Sequence, residues 1–233
     1  MRLDKLISNS TELSRAETHR AIKAQRVCVN DIPAKKASLH IGPTDVVTLD
    51  GELIAAPQPR YFMLYKPAGY VCATSDSEHP VVLDLLHETR LSELQIVGRL
   101  DIDTTGLLLI ADDGDWNHRL TAPSRQCDKI YRVQLRDAVT EESAAQLRAG
   151  ILLRSENHAT LPAEIVFIDL NLRNEVLLTI REGKYHQVKR MFAATGNLVT
   201  GLHREQVGEI KLDSDLKPGE YRRLTPAEVS SVT

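Results

Sequence analysis

Residues 98–114, GRLDIDTTGLLLIADDG, constrain the fold more than any other stretch of the chain. Leu107 to Ala111 form an unbroken apolar run between a Thr-Thr-Gly bend and Asp112-Asp113-Gly114, the pattern of a buried strand bounded by turns. Asp101 and Asp103 stand at i and i+2 just before the bend, on the loop that feeds this strand. Loops carried on rigid core structure are where catalytic groups are held. Asp101 and Asp103 are therefore the first candidates for function.

The 233 residues suit a small domain joined to a medium one, and 42% hydrophobic with 26% charged residues is ordinary for a globular chain. Cys28, Cys72 and Cys127 lie far apart with no C-x-x-C pair, so neither a disulfide framework nor a zinc or other metal site is expected. No apolar run approaches the roughly 20 residues that span a bilayer, and MRLDKLIS has no signal-peptide core. The expected setting is the cytoplasm, away from membranes. The net charge is −3, yet residues 1–50 carry eight Lys/Arg against six Asp/Glu and residues 181–204 carry five against one. Such local excess predicts an electrostatic footprint for RNA on an otherwise acidic chain.

Residues 1–8 suit a short helix, and the capping-box pattern Ser14-Arg15-Ala16-Glu17 starts a second. Arg15, His19, Lys23 and Arg26 share one side of it, but Ile22 falls near the same side, so the helix does not read as cleanly amphipathic. Val27-Cys28-Val29, a turn at Asn30-Asp31 and a strand from Asp45 to Leu49 ending at Asp50-Gly51 complete a unit that is small for a self-sufficient core. The patterns R-L-D-K-L, S-R-A-E and R-V-x-V-N resemble the S4 RNA-binding module. That resemblance implies a phosphate-facing helical surface with Arg2, Lys5, Arg15, Arg20 and Lys23 as candidates, positioning RNA without reading its sequence.

Two prolines in Ala55-Ala56-Pro57-Gln58-Pro59 read as a linker, which divides the chain into 1–54, a linker at 55–60, and 61–233. In the second part, strands are predicted at 61–65, 129–135, 163–170, 175–180, 197–202 and 209–212, with a turn at Pro218-Gly219. Helices are predicted at 81–94, at 115–120 with Asp115 as cap, at 140–149 and at 186–194. Without regular βαβ alternation this is an α+β domain, a mixed and largely antiparallel sheet flanked by helices. In the helix at 186–194, Val188, Met191 and Phe192 define the buried stripe. Lys189 sits on its flank and can reach a half-buried partner, and Arg190 points away, towards solvent or a phosphate.

Asp101 to Thr105 also satisfies D-x-D-x-T, the nucleophile motif of haloacid-dehalogenase-type phosphatases, but the parallel strand-helix alternation of that fold is missing. Asp112-Asp113-Gly114-Asp115 fails as an EF-hand, since the twelfth position is Pro123. No G-x-S-x-G elbow supports a hydrolase triad. GRLDIDTTGLLL, DKIYRV and LTIREGKYHQVKRM instead occur in the order and at the approximate spacing of the pseudouridine synthase motifs. With the S4-like start, the whole chain resembles the subfamily that modifies small-subunit ribosomal RNA.

The resemblance matches Asp101 to the catalytic aspartate, Tyr131 to the tyrosine of K-x-Y, Lys189 to the basic residue after H-Q-V, and Arg99 to the arginine two positions before the aspartate. It implies cofactor-free isomerisation of a uridine, of the position-516 type in 16S rRNA, by a monomer whose partner is that RNA or its ribonucleoprotein assembly intermediate. A nearby ammonium such as Lys189 would hold the Asp101 pKa down. Tyr131 could stack on the extruded base, and Arg99 could contact the backbone or fill the vacated space. Taken alone, Tyr131 would be a core residue and Lys189 a surface one; the neighbouring motifs reverse this. Asp103 is expected only to cap the bend through the amides of Thr104 and Thr105. The same chemistry on 23S rRNA, or a non-catalytic RNA-binding assembly factor, are the alternatives the residues leave open.

Overall fold

The computed structural model describes residues 1–42, 44–55 and 58–232. Of the expected linker, Ala56 and Pro57 lie outside the described residues. The chain divides into two compact units, Met1–Pro59 and Arg60–Thr233.

In the first unit, α1 (Leu3–Ser10) buries Leu3, Leu6 and Ile7 at i, i+3 and i+4. Ser14 caps α2 (Arg15–Lys23) by accepting from the Glu17 amide, while the Glu17 carboxylate accepts from the Ser14 amide, the expected capping box. The buried stripe of α2 is Thr18, Ala21 and Ile22. The helix is therefore cleanly two-sided after all, its inner face carried by small residues that hydrophobicity alone passes over. Arg26 lies beyond the helix end and pairs with Asp50, its Nε donating at 2.8 Å. A four-stranded antiparallel sheet follows, β1 (Val27–Val29), β2 (Ile32–Pro33), β3 (Val47–Leu49) and β4 (Glu52–Leu53), in the order β2-β1-β3-β4. Asn30 and Asp31 both have positive φ, as the two-residue turn between β1 and β2 requires.

The second unit is built on one sheet. Its strands are β5 (Tyr61–Lys66), β6 (Gln95–Val97), β7 (Thr105–Ala111), β8 (Lys129–Leu135), β9 (Glu164–Phe167), β10 (Glu175–Ile180), β11 (Val199–Val207), β12 (Ile210–Lys211) and β13 (Tyr221–Arg223). The order is β13-β5-β7-β11-β8-β10-β9, with β6 paired to β7 and β12 to β11. Among these strands only β7 and β11 pair in parallel, through His203 opposite Thr105 and Arg204 opposite Gly106. The helices are α3 (Gly114–Thr121), α4 (Glu141–Ala149), α5 (Gln187–Ala194) and α6 (Pro226–Ser230). The unit is α+β, as expected.

From Leu107 to Ala111 β7 is apolar because both its faces are covered. Leu108 and Ile110 join one core with Tyr131, Val133 and the stripe of α5, while Leu107, Leu109 and Ala111 join another with Trp116 and Leu120 of α3. β8 alternates, with Tyr131, Val133 and Leu135 buried between more open neighbours.

Further expectations change. Residues 81–94 form two 3-10 turns, Val82–Leu85 and Leu91–Glu93, because Leu86 is extended and Arg90 left-handed between them. α3 is capped by Asp113, whose carboxylate accepts from the amides of Asp115 and Trp116, and not by Asp115. The strand expected at 197–202 runs as β11 from Val199 to Val207, with register shifts between Val199 and Gly201 and between Arg204 and Gln206. β13 and α6 were not anticipated, although Thr225-Pro226-Ala227-Glu228 is itself a capping box with proline at the first helical position.

Candidate active site

Asp101 lies on the loop between β6 and β7, and that loop is fastened by backbone contacts from several directions. The Thr104 amide donates to the Asp101 carbonyl (3.1 Å) and the Gly69 amide to that of Ile102 (2.8 Å). The Lys66 ammonium, fully buried at the end of β5, donates to the carbonyls of Thr104 (2.8 Å), Pro67 (3.0 Å) and Ile102 (3.3 Å). Burial pulls its pKa below the usual lysine value, opposed by the charges of Cys72, Asp103 and Asp101.

Arg204 closes the other side. The free edge of β7 is shared, β11 pairing at Thr105–Gly106 and β6 at Leu109–Ala111. Buried Arg204 donates from Nε to the Leu107 carbonyl between those segments (2.8 Å) and from Nη2 to the Gly98 carbonyl where the loop begins (3.0 Å). A guanidinium thus satisfies carbonyls that no strand reaches. Gly106 has φ +105°, and a Cβ there would meet the Arg204 carbonyl oxygen at 2.3 Å, so the parallel pair depends on glycine.

With its backbone fixed, Asp101 directs its carboxylate into a polar cluster. Lys189, from α5, places Nζ 3.1 Å from Asp101 Oδ2 and 2.6 Å from Asp103 Oδ1. Partial burial alone would lower the Lys189 pKa, but hydrogen bonds to Asp103 and Asp101 outweigh it and hold the ammonium above its ordinary value. Burial would raise Asp103; the Lys189 bond and charge reverse this and hold its carboxyl low. The Thr104 amide that Asp103 was expected to cap donates to the Asp101 carbonyl instead, and the Asp103 carboxylate shares the Lys189 cation. His186, in the left-handed conformation before α5, brings Nε2 within 3.4 Å of Asp101 Oδ1.

Of these groups Asp101 and His186 line a cavity of about 550 Å³, together with Arg99, Tyr131 and Arg204 among others, within the range of about 300–1,000 Å³ usual for small-molecule sites. Tyr131 is 7% exposed. Arg99 is exposed and, among the described residues, has no acidic partner. The structure thus brings Asp101, Tyr131, Lys189 and Arg99 to one place.

Arg190 behaves differently from its expectation. Its guanidinium donates to Glu156 Oε1 (3.0 Å) and to the carbonyls of Tyr185 (3.0 Å) and Arg154, so it ties α5 to the preceding loops. The basic excess of 181–204 is largely cancelled in three dimensions, since Lys184 also pairs with Glu156 and Arg181 with Asp128 and Glu164. In the first unit Lys5, Arg15 and Lys23 are exposed without an acidic partner among the described residues, Arg20 lies 3.9 Å from Glu17, and Arg2 grips Asp4 through two hydrogen bonds.

Sequence reasoning missed Lys66, Arg204 and His186. A lysine closing an apolar strand before proline, and an arginine on the same parity as Leu202 in β11, were the available signals.

Residues 60–194 match the family model of RNA pseudouridylate synthases, and residues 1–47 match that of the S4 domain. The chain belongs to the RNA pseudouridylate synthase family. It is 49% identical over 233 residues to the ribosomal small subunit pseudouridine synthase A of Escherichia coli strain K12, covering 100% of both chains. To the protein of the same name in Vibrio vulnificus it is 48% identical over 232 residues, covering 100% of this chain and 99% of the relative. A crystal structure of a pseudouridylate synthase superposes over 100% of both chains with a TM-score of 0.72 at 43% identity. In this family member, the motifs around Asp101, Tyr131 and Lys189 all fall within the matched segment.

Proposed function

We propose that this synthase converts one uridine of small-subunit ribosomal RNA to pseudouridine, with Asp101 carrying the chemistry, residues 61–233 forming the catalytic part and residues 1–54 docking the RNA. The observation that carries the reading is the meeting of three separate motifs: Asp101 and Tyr131 line one cavity, and Lys189 is paired with Asp101. The full-length similarity to the two relatives named above supports small-subunit RNA as the substrate, and the proposed target is a uridine of the position-516 type.

The reaction breaks the bond from sugar C1′ to uracil N1 and forms one from C1′ to C5. The C5 proton is lost and N1 gains one, so atoms and charge balance without an oxidant or group donor. Asp101 acts at sugar C1′, at uracil C6 or on the 2′ position, each time through its carboxylate, which Lys189 and His186 orient. Extruding the uridine costs a few kcal/mol. Stacking on Tyr131 returns about 1–3 kcal/mol, and exposed Arg99 is placed to hold the RNA backbone or occupy the gap left in the stack. Lys5, Arg15 and Lys23, with Arg2 and Arg20, supply phosphate contacts that position without reading sequence. The proposed form is a monomer in the cytoplasm.

The test is to incubate the protein with small-subunit RNA, its assembly intermediate and large-subunit RNA, and to map pseudouridine by carbodiimide treatment and primer extension. Modification of small-subunit RNA by wild type and none by Asp101→Ala is expected. Modification of the large-subunit RNA alone, or retained activity in the variant, would refute the assignment.

A further inference from the structure

Tyr185 is the one aromatic side chain among the large exposed hydrophobic residues described, 74% exposed in a chain only 4% aromatic. Its ring stacks on that of His186, with centroids 3.8 Å apart and planes 20° from parallel. His186 in turn contacts Asp101, and both rings line the cavity. The backbone beneath is clamped: the Gln187 amide donates to the Lys184 carbonyl (3.1 Å), the Lys184 amide to Gln187 Oε1 (2.8 Å), and Arg190 Nη1 to the Tyr185 carbonyl (3.0 Å). His186 is held at φ +46°, a conformation that a residue other than glycine seldom adopts. Among the described residues no hydrogen bond engages the Tyr185 hydroxyl, and core packing does not account for the ring. A fixed aromatic pair leaves its outer face bare beside the reacting carboxylate.

Extruding a uridine deprives its neighbours in the strand of a stacking partner, and unstacked bases are received on aromatic faces. Resting on the proposed activity, we propose that the outer face of Tyr185, backed by His186, receives the nucleobase adjacent to the target uridine. His186 meets Asp101 through Nε2 and Tyr185 through its ring face, which keeps a nucleotide stacked on Tyr185 within reach of a uridine held at Asp101. A phosphate is the poorer occupant, because the nearby cations Lys184 and Arg190 are both paired with Glu156. Every base has a π face, so the platform adds affinity and orients the strand without selecting one base.

Wild type, Tyr185→Ala, Tyr185→Phe and Tyr185→Trp are to be compared on a small-subunit ribosomal RNA transcript tritiated at uridine C5, whose release gives kcat and KM. Filter binding of the same transcript gives Kd without turnover. Loss of the ring in Tyr185→Ala is expected to raise KM and Kd about five- to 150-fold, the conversion of about 1–3 kcal/mol per stacked base at about 1.4 kcal/mol per tenfold, with kcat within about threefold of wild type. The Phe and Trp variants should stay near wild type in all three. KM and Kd within about twofold of wild type in Tyr185→Ala would overturn the proposal, as would a loss confined to kcat or an equal loss in Tyr185→Phe. If wild type releases no tritium while Tyr185→Ala still weakens binding, the proposed activity fails and the platform stands.

Discussion

The Lys189 ammonium lies closer to Asp103, at 2.6 Å, than to Asp101, at 3.1 Å. One cation is thus divided between the carboxylate assigned the chemistry and a neighbour two residues away. Replacing it by methionine should lower kcat about 100- to 1,000-fold, the usual loss when a preorganised charge partner is removed, with RNA binding little changed. Lys189→Arg should recover part of the loss in the same tritium-release assay.

Asp103→Asn tests the other half of that arrangement. Asp103 helps hold the Lys189 pKa above its ordinary value, so its neutralisation should let Lys189 lose its proton at lower pH. The alkaline limb of the kcat profile is expected to move down in pH while KM stays near wild type. An unmoved alkaline limb would show that Lys189 does not govern it.

Lys66→Met removes three hydrogen bonds to carbonyls of the catalytic loop and its approach. Each buried acceptor left unmatched costs about 1–3 kcal/mol. A lower denaturation midpoint is expected, together with a fall in kcat that exceeds any rise in KM, because the loop that aims Asp101 is loosened. An unchanged midpoint would contradict the fastening role.

Gly106→Ala places a Cβ 2.3 Å from the Arg204 carbonyl oxygen at φ +105°. Both the clash and the backbone conformation oppose it, and a loss of about 3–5 kcal/mol is expected in urea unfolding. Gly114→Ala, where a Cβ meets nothing within 4 Å, is the control and should be near neutral.

Glu228 caps α6 and receives Arg222 through Nη1 (2.9 Å) and Nη2 (2.8 Å). The Arg222 hydrogen bonds, helped by the Thr225 amide and opposed by partial burial, hold its carboxyl at about 2, against an ordinary 4.5. A carboxylate lowered in the folded state stabilises fully above the unfolded value and loses that contribution as pH falls from about 4.5 towards about 2. After screening by solvent the contribution is on the order of 1–2 kcal/mol. Glu228→Gln should therefore flatten the acid side of the stability profile in that window and leave activity at neutral pH intact.

The strands of the second unit were legible where apolar residues repeat with period two or run unbroken, as in β8 and β7, and α5 showed its stripe at Val188, Met191 and Phe192. Asp101, Tyr131 and Lys189 were legible through their motifs. What escaped detection is held by long-range polar contacts. Lys66 and Arg204 look like solvated cations until the carbonyls they satisfy are brought to them, and the basic excess of 181–204 looks free until Asp128, Glu156 and Glu164 fold against it. Residues 81–94 carry helical composition, yet the left-handed Arg90 divides them into two turns, an outcome set by tertiary packing.

The parallel pairing of β7 with β11 also sets an order of events. Asp101 is translated well before Arg204, which ties down the start of its loop, and parallel pairing across so long a separation is slow to form. A nascent chain therefore carries Asp101 without the Arg204 contacts that fasten its loop until β11, which ends at Val207, has been made and has docked. The surroundings of Asp101 are thus completed by a strand made far downstream of it in the chain.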